Sequence, residues 1–186
     1  MLHVRADTEA DGGERLAKAF ASNVVISSDG LRGTLRRAAT DHGTPIITVE
    51  LGEAHRFQRP LIDAALEGVM SAMVELGMRA TERVKWPGWR TVIDGSDEKT
   101  WLRADVGGLV EMHADRGALV EADDAICTIT DPFKTDSTVV EALFTGLLVG
   151  VLESPLVYPG NPLCHLVALD DTTLRTLRMS GDAPGR

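Results

Sequence analysis

The pattern of hydrophobic and polar positions changes character about halfway along the chain. In the first half, runs of apolar, β-branched residues alternate with segments in which apolar residues recur at helical spacing. The predicted helices cover residues 11–20, 31–41 and 60–76, and the predicted strands cover residues 24–26 and 45–52. Strands that alternate with helices are typical of parallel pairing with helices packed on the sheet. The sequence therefore predicts an α/β layer over residues 1–80.

The second half has shorter apolar runs, which Gly, Pro and Asp residues separate. This pattern is typical of an all-β module, and we place that module over residues 90–170. The segment 79–90 is polar at first and then carries a Trp-Pro-Gly-Trp turn, so we interpret it as the domain boundary. Residues 171–186 are polar and end in GDAPGR, which predicts a flexible tail.

An internal repeat lies within the predicted β module. The pattern AxxxGLV at 104–110 recurs as AxxxGLL at 142–148, and VxxxDxICxI at 120–129 recurs as VxxxNxLCxL at 157–166. Two such halves can pair around a pseudo-two-fold axis into a small closed β sandwich or barrel. The repeat places Cys127 and Cys164 at equivalent strand positions, where we expect buried small hydrophobic side chains.

Charge and composition narrow the range of partners. The chain has 186 residues, of which 28 are acidic and 19 are Lys or Arg, for a net charge of −9. This balance argues against nucleic acid and anionic membranes as partners. No apolar run reaches the roughly 18 residues of a membrane span. Two cysteines fit a reducing compartment, so we expect a cytoplasmic protein.

Residue Glu50 is the candidate catalytic residue of the first half. It lies near the end of the run PIITVELG at 45–52, which we interpret as a strand buried on both faces of a parallel sheet. Ligands of open α/β sheets bind outside the carboxyl ends of the strands, where Glu50 would stand. Partial desolvation there makes a carboxylate a candidate general base. The alternative is a strand-end carboxylate that faces water or pairs with an arginine.

Several segments, in this order and spacing, resemble the succinylglutamate desuccinylase/aspartoacylase family over residues 4–169. They are VRAD at 4–7, GTLR at 33–36, GTPIITVELG at 43–52, GGLV at 107–110 and YPGNPL at 158–163. The resemblance implies a partial zinc-carboxypeptidase-like α/β layer with a parallel or mixed sheet, followed by a β domain. It also implies hydrolysis of the amide bond of N-acyl amino acids by a zinc-bound water. Glu50 matches the glutamate that serves the family as general base and acid.

The metal ligands of the family have no counterpart in this sequence. Family members bind zinc through a His-x-x-Glu motif and a later His, upstream of the part that matches here. The five histidines of this chain are dispersed, and none begins a His-x-x-Glu motif. We therefore predict no metal ligand and expect the isolated chain, as the C-terminal portion of a family member, to be inactive. Its expected partners are a small N-acyl amino acid or related amide, and either further copies of itself or a chain carrying the metal-binding half.

The family also implies residues that bind substrate. An arginine near the helix before the Glu50 strand holds a substrate carboxylate, since a guanidinium matches a carboxylate in bidentate fashion. Arg36 and Arg37 are the candidates, with a solvated helix face as the alternative. His55 follows the Glu50 strand and is a candidate for the mouth of the site. The other histidines are expected to be surface, loop or structural residues: His3, His42, His113 and His165.

Two other functions remain open at this stage. The two-fold β repeat resembles the barrel-sandwich fold of biotinyl and lipoyl carriers, and the turn between its halves contains Lys134. The residues that flank the modified lysine in carriers are missing, which favours a solvated turn lysine. A non-catalytic binding or assembly protein is the third possibility, because an α/β layer without its other half would leave a sheet edge for another chain to cover.

Overall fold

The chain folds into two compact units, Met1–Ser96 and Asp97–Arg186. The structure is a computed structural model, and it describes residues 2–53, 55–82, 91–93, 98–133 and 136–180. The Trp-Pro-Gly-Trp turn of the predicted boundary lies outside these residues. A strand at Thr91–Ile93 pairs with the first unit, so the β module begins near residue 97 instead of residue 90.

The first unit is a mixed sheet with helices. Its strands are β1 (His3–Ala6), β2 (Val24–Ser27), β3 (Ile47–Glu50) and β4 (Thr91–Ile93), and its helices are α1 (Gly13–Phe20), α2 (Leu35–Asp41) and α3 (Arg59–Glu75). The strand order is β3-β1-β2-β4. Parallel pairing holds for β1 with β2 and for β2 with β4, whereas β3 runs antiparallel to β1.

The expectation that the Glu50 strand is parallel and buried on both faces is wrong. Strand β3 pairs antiparallel with β1 at the edge of the described sheet. Ile47 and Val49 are partly buried, and Thr48 and Glu50 are exposed. The reason is that the strand alternates apolar and polar residues with period two, so only one of its faces packs on the core.

The core of the first unit lies between one sheet face and the helices. Val4, Ala6 and Val25 pack there with Phe20 of α1, and Leu61 of α3 packs against them. Helix α2 begins later than residue 31 because Gly33 has a φ of 85° and Thr34 is extended. The Thr34 side chain accepts a hydrogen bond from the Arg37 amide and caps the helix.

The described strands of the second unit form two antiparallel sheets. These strands are β5 (Lys99–Arg103), β6 (Gly108–Met112), β7 (Leu119–Val120), β8 (Ala125–Thr130), β9 (Ser137–Glu141), β10 (Gly146–Val151), β11 (Leu156–Val157) and β12 (Pro162–Ala168). One sheet has the order β5-β12-β10-β7 and the other has the order β9-β8-β6-β11. The two orders correspond strand by strand when β12 is matched to β8 and β10 to β6.

The cores of the second unit contain residues from both sheets. Ile126 and Cys164 share one cluster, and Cys127 and Leu163 share another. Both cysteines are fully buried, as the sequence predicts, and both are free. Burial, with a smaller effect of the nearby Cys127, raises the pKa of Cys164 to about 12.

The last described segment corrects the expectation of a flexible tail over residues 171–186. Helix α4 covers Asp171–Ser180, and Leu177 on it is buried. Asp170 begins the helix, because its carboxylate accepts hydrogen bonds from the amides of Thr172 and Thr173, each at 2.9 Å. Residues 181–186 lie outside the described part of the chain.

Two of the remaining histidines belong to the second unit. His165 is buried, as expected of a structural residue, and its ring stacks on Trp101 with centroids 4.6 Å apart. His113 is exposed, with its Nε2 2.7 Å from the hydroxyl of Thr128. Among the described helices, none has the length and apolar character needed to cross a membrane.

Candidate active site

The sheet of the first unit has one apolar face and one face that carries polar side chains. Val4 and Ala6 of β1 point toward the core, so His3 and Arg5 point to the opposite face. In the antiparallel register, Glu50 pairs with His3 and Thr48 pairs with Arg5. Side chains at paired positions lie on the same face of a sheet. Four polar side chains from two strands therefore meet on the face away from the core.

Glu50 is fixed by the two residues that face it. Its Oε1 lies 2.5 Å from Nε of Arg5, and its Oε2 lies 3.6 Å from Nε2 of His3. The side chain of Glu50 is 47% exposed. The carboxylate is therefore oriented by the protein and still reachable by water, which is the arrangement that a proton acceptor requires.

The position of His3 corrects the sequence expectation. His3 was expected on the surface or in a loop, but it lies in β1 and is buried. A short strand near a chain terminus has too few residues to show its pairing. Its burial became visible only in the tertiary structure.

A cavity of about 520 Å³ opens beside this cluster. Residues of β1, β3, α2 and the loop after β2 line it: Arg5, Ser28, Asp29, Gly30, Leu31, Thr34, Leu35, Arg36 and Thr48. Arg5 both lines the cavity and contacts Glu50, so the candidate base is one side chain away from the cavity.

Arg36 is a charged residue of this cavity whose hydrogen-bond acceptors are neutral. Its Nη1 donates to the carbonyl oxygen of Ser28 at 2.5 Å, and its Nη2 donates to the Ser28 hydroxyl at 3.0 Å. Burial lowers the pKa of the Arg36 guanidinium, and the charge of Arg5 lowers it further. The charges of Asp7 and Asp29 raise this pKa by smaller amounts. Since the Ser28 oxygens that accept its hydrogen bonds carry no charge, the Arg36 guanidinium is suited to bind an anion in the cavity.

Arg37, the other arginine candidate, is engaged by carboxylates. It lies 2.7 Å from Oδ2 of Asp29 and 2.9 Å from Oδ1 of Asp41. The hydrogen bond that Arg37 donates to Asp41, followed by the charge of Asp41, raises the pKa of Arg37. The geometry therefore separates two arginines that the sequence could not distinguish.

His55 is exposed and has a backbone φ of 63°. It is not among the described residues that line the cavity, and its role in substrate binding stays a prediction. The turn lysine Lys134, considered for a carrier function, lies outside the described residues.

The described residues do not fit a zinc site. Within the described part of the chain, no group of three or more His, Cys, Asp or Glu side chains is placed to hold a metal ion. His3 and Glu50 are near each other, but a catalytic zinc needs three protein ligands and an open position. No chemical step through zinc follows from this chain's own residues.

Sequence reasoning missed Arg5, Ser28 and Thr48. Arg5 and His3 alternate with the apolar Val4, and Thr48 and Glu50 alternate with Val49. This period-two pattern was the available signal that the four side chains share one face. Ser28 carries no such signal, because it follows the end of β2.

Comparisons with known proteins identify the fold. No protein-family model and no curated protein matches the sequence. Solved structures do match. The apo ectoine utilization protein EutE (DoeB) from Ruegeria pomeroyi has a TM-score of 0.80 and 18% identity, covering 91% of this chain and 55% of that protein. A succinylglutamate desuccinylase from Silicibacter sp. TM1040 has a TM-score of 0.78 and 18% identity, covering 91% and 54%.

A third structure, a succinylglutamate desuccinylase/aspartoacylase family protein from Shewanella amazonensis, has a TM-score of 0.72 and 19% identity, covering 89% of this chain and 50% of that protein. These likenesses define the class of fold: this chain consists of an α/β unit and a β unit of the kind found in those structures. In particular, it has the fold of succinylglutamate desuccinylase/aspartoacylase family proteins, which confirms the resemblance seen in the sequence. It spans about half the length of the structures it matches.

Proposed function

We propose that this chain is part of a deacylase-type hydrolase that cleaves the amide bond of an N-acyl amino acid or a similar small amide. The observation that carries the proposal is the position of Glu50. Its carboxylate is oriented by Arg5, half-exposed to water and next to a cavity that holds the Arg36 guanidinium. The fold shared with succinylglutamate desuccinylase/aspartoacylase family proteins supports the reaction class.

Each residue has a defined part in this proposal. Arg36 binds the substrate carboxylate, because a guanidinium and a carboxylate form parallel hydrogen bonds. Glu50 takes a proton from the attacking water and returns it to the leaving amine. Arg5 keeps the Glu50 carboxylate in place, and it is therefore a positioning residue.

The zinc that the fold family implies would have to be held mainly by residues other than those described. We propose that the chain works together with a segment that carries a metal-binding half, supplied by an associated chain, and that it is inactive alone. Self-association into a homo-oligomer is the other assembly that we propose to test. We further propose a cytoplasmic location, which the two free cysteines support.

The test is complementation. The chain is co-expressed with the part of Ruegeria pomeroyi EutE that it does not cover, and the complex is assayed for amine release from N-acyl amino acids. Glu50→Gln keeps the shape of the side chain and removes its basicity, so kcat should fall by at least about 10²-fold. Glu67→Gln, an exposed change on α3, is the matched control. Near-full kcat in the Glu50→Gln complex would reject the catalytic role of Glu50.

A non-catalytic assembly protein is the second candidate. The observation that favours it is the exposure of apolar residues on α3, including Leu66, Val69 and Met70. Their spacing puts them on one stripe of the helix, which is typical of a contact surface. An assembly protein would form its complex normally and show no amine release with any N-acyl amino acid, whether or not Glu50 is changed.

We also propose the finer architecture of the second unit, a barrel-sandwich module built from an internal two-fold repeat. The matching strand orders of its two sheets support this proposal. Superposition of 104–129 on 142–166 in an experimental structure tests it. A biotinyl or lipoyl carrier function would require covalent modification of Lys134, and the intact mass of the purified chain would show the added group.

A further inference from the structure

The cavity beside Glu50 combines a charged group with exposed apolar side chains. Leu31 and Leu35, which line it together with Arg36, are each 79% exposed. A cavity that is lined by large apolar side chains and a cation suits a ligand that has both an apolar part and a negative charge. The proposed amide hydrolysis assigns roles to Arg36, Arg5 and Glu50 and leaves the two leucines unexplained.

The charges around the cavity favour a ligand with a single negative charge. Arg5 is paired with Glu50, and Asp29 is paired with Arg37. Arg36 is held by the neutral oxygens of Ser28. The charged residues that line the cavity therefore leave about one positive charge to be matched, and a second carboxylate on the ligand would approach Asp29 or Glu50 without a partner.

The backbone that carries the apolar part of the cavity is held by hydrogen bonds before any ligand binds. The hydroxyl of Thr34 donates to the carbonyl oxygen of Leu31 at 2.7 Å, and the Thr34 amide donates to the same oxygen at 3.2 Å. These bonds fix the turn that carries Leu31 against the start of α2, where Leu35 lies. A preformed surface of this kind lowers the entropic cost of binding.

We propose that this cavity selects monocarboxylates with an extended apolar chain, in particular N-acyl amino acids with a neutral side chain and an acyl group of about six or more carbons, because each methylene removed from water adds affinity. The carboxylate binds Arg36, and the acyl chain covers Leu31 and Leu35. The volume of about 520 Å³ lies within the usual range for small-molecule sites. This inference rests on the proposed function for its substrate class, but it is tested without hydrolysis.

The experiment measures binding to the purified full chain by isothermal titration calorimetry. The probes are N-acetylglycine, N-hexanoylglycine and the neutral N-hexanoylglycinamide. A fully buried methylene contributes about fourfold in Kd, so four partly covered methylenes should tighten binding at least about tenfold from acetyl to hexanoyl. Loss of the carboxylate should weaken binding at least about tenfold. N-hexanoylglutamate, which adds a second carboxylate, should bind more weakly than N-hexanoylglycine.

Variants separate the two parts of the cavity. Replacing both leucines (Leu31→Ser with Leu35→Ser) should abolish the dependence of affinity on acyl chain length. Both side chains are mostly exposed, so folding should not suffer. Arg36→Gln should remove the preference for the acid over the amide. Arg32→Gln, an exposed neighbour that does not line the cavity, is the matched control for charge.

Three results would overturn the inference: equal affinity for the acetyl and hexanoyl ligands, equal affinity for acid and amide, or a chain-length dependence that survives the double leucine change. Each of them concerns binding alone. Failure of the Glu50→Gln test in the complemented enzyme would instead reject the hydrolase proposal, so the two failures are distinguishable.

Discussion

The carboxylate of Glu50 lies 2.5 Å from Nε of Arg5, across the antiparallel pair of β1 and β3. The sequence left open whether Glu50 is a base or a strand-end carboxylate paired with arginine. The structure shows the pairing, and the role of Glu50 as a base stays a proposal. Arg5 holds one oxygen, while the side chain remains 47% exposed to water.

The ion pair between Arg5 and Glu50 should contribute little to folding stability, but it should fix the orientation of the Glu50 carboxylate. An ion pair with a half-exposed partner contributes roughly 0.2–1 kcal/mol. We expect a double-mutant cycle with Arg5→Gln and Glu50→Gln to give a coupling free energy of unfolding below about 1 kcal/mol, measured by urea denaturation. The exposed pair Glu14 and Lys18, 2.6 Å apart on α1, is the control and should give a similar value.

In the complemented enzyme the same cycle should behave differently. Arg5→Gln should lower kcat in the presence of Glu50 and have little further effect in the Glu50→Gln background, because it acts through that carboxylate. Additive effects of the two changes on kcat would contradict the positioning role of Arg5.

The close contact between α1 and α3 predicts how a methyl group added at Gly68 changes the stability of the first unit. A Cβ added at Gly68 would lie 2.7 Å from the carbonyl oxygen of Phe20 and 2.7 Å from its ring. Alanine is favoured over glycine in a helix by about 1 kcal/mol, but overpacking against backbone typically costs about 1–3 kcal/mol. Gly68→Ala should therefore lower the free energy of unfolding of the first unit.

Gly150→Ala is the control for that substitution, since its Cβ would meet only the Cβ of His165 at 3.8 Å. We expect little change there in urea denaturation. Stabilisation by Gly68→Ala would show that α1 and α3 are packed less closely than the structure indicates.

Asp170 should contribute stability through the start of α4. Hydrogen bonds from the side chain and amide of Thr173 hold the pKa of the Asp170 carboxyl below its usual range. Loss of an N-terminal cap costs about 1 kcal/mol, so Asp170→Ala should lower the free energy of unfolding by roughly that amount. The exposed Asp105→Ala in the second unit serves as control.

The stabilisation that Asp170 gives to α4 should decrease as the pH falls. The folded-state pKa of Asp170 is lowered, so its stabilisation is present above the unfolded-state pKa of about 3.9 and is lost as the pH falls through the folded-state value. The difference in unfolding free energy between the wild type and Asp170→Ala should therefore shrink in acid. A difference that does not change between neutral and strongly acidic pH would exclude the ionised cap.

The buried thiols should be inert in the folded protein. Burial raises the pKa of both Cys127 and Cys164, so thiolate is scarce at pH 8. Ellman's reagent should label neither cysteine until urea unfolds the second unit, and then both. Because the folded-state pKa values are raised, stability should decline as the pH rises above the unfolded-state thiol pKa of about 8.5. Rapid labelling in the native state would show that the second unit opens locally.

The three helices and the strands β2 and β3 of the first unit could be predicted because each carries its own periodicity, whereas the short strands β1 and β4 were missed. The helical spacing in residues 60–76 and the β-branched run before Glu50 produce α3 and β3 with shifted ends. Pairing could not be predicted, because a four-residue strand has no local signal for direction or neighbour. The antiparallel edge position of β3 follows from its contact with β1, which lies far away in sequence.

By itself, the sequence determined the local features of this protein: the change from α/β to β character, the equivalent buried cysteines, and Glu50 at the end of its strand. These depend on residue type and periodicity, which act over a few neighbours. Only the tertiary structure decided that Arg5 and His3 face Glu50, that Arg36 lines a cavity while Arg37 is held by carboxylates, and that Asp171–Ser180 form a helix. The physical reason is that long-range pairing and burial, which no single segment encodes, set which side chains meet.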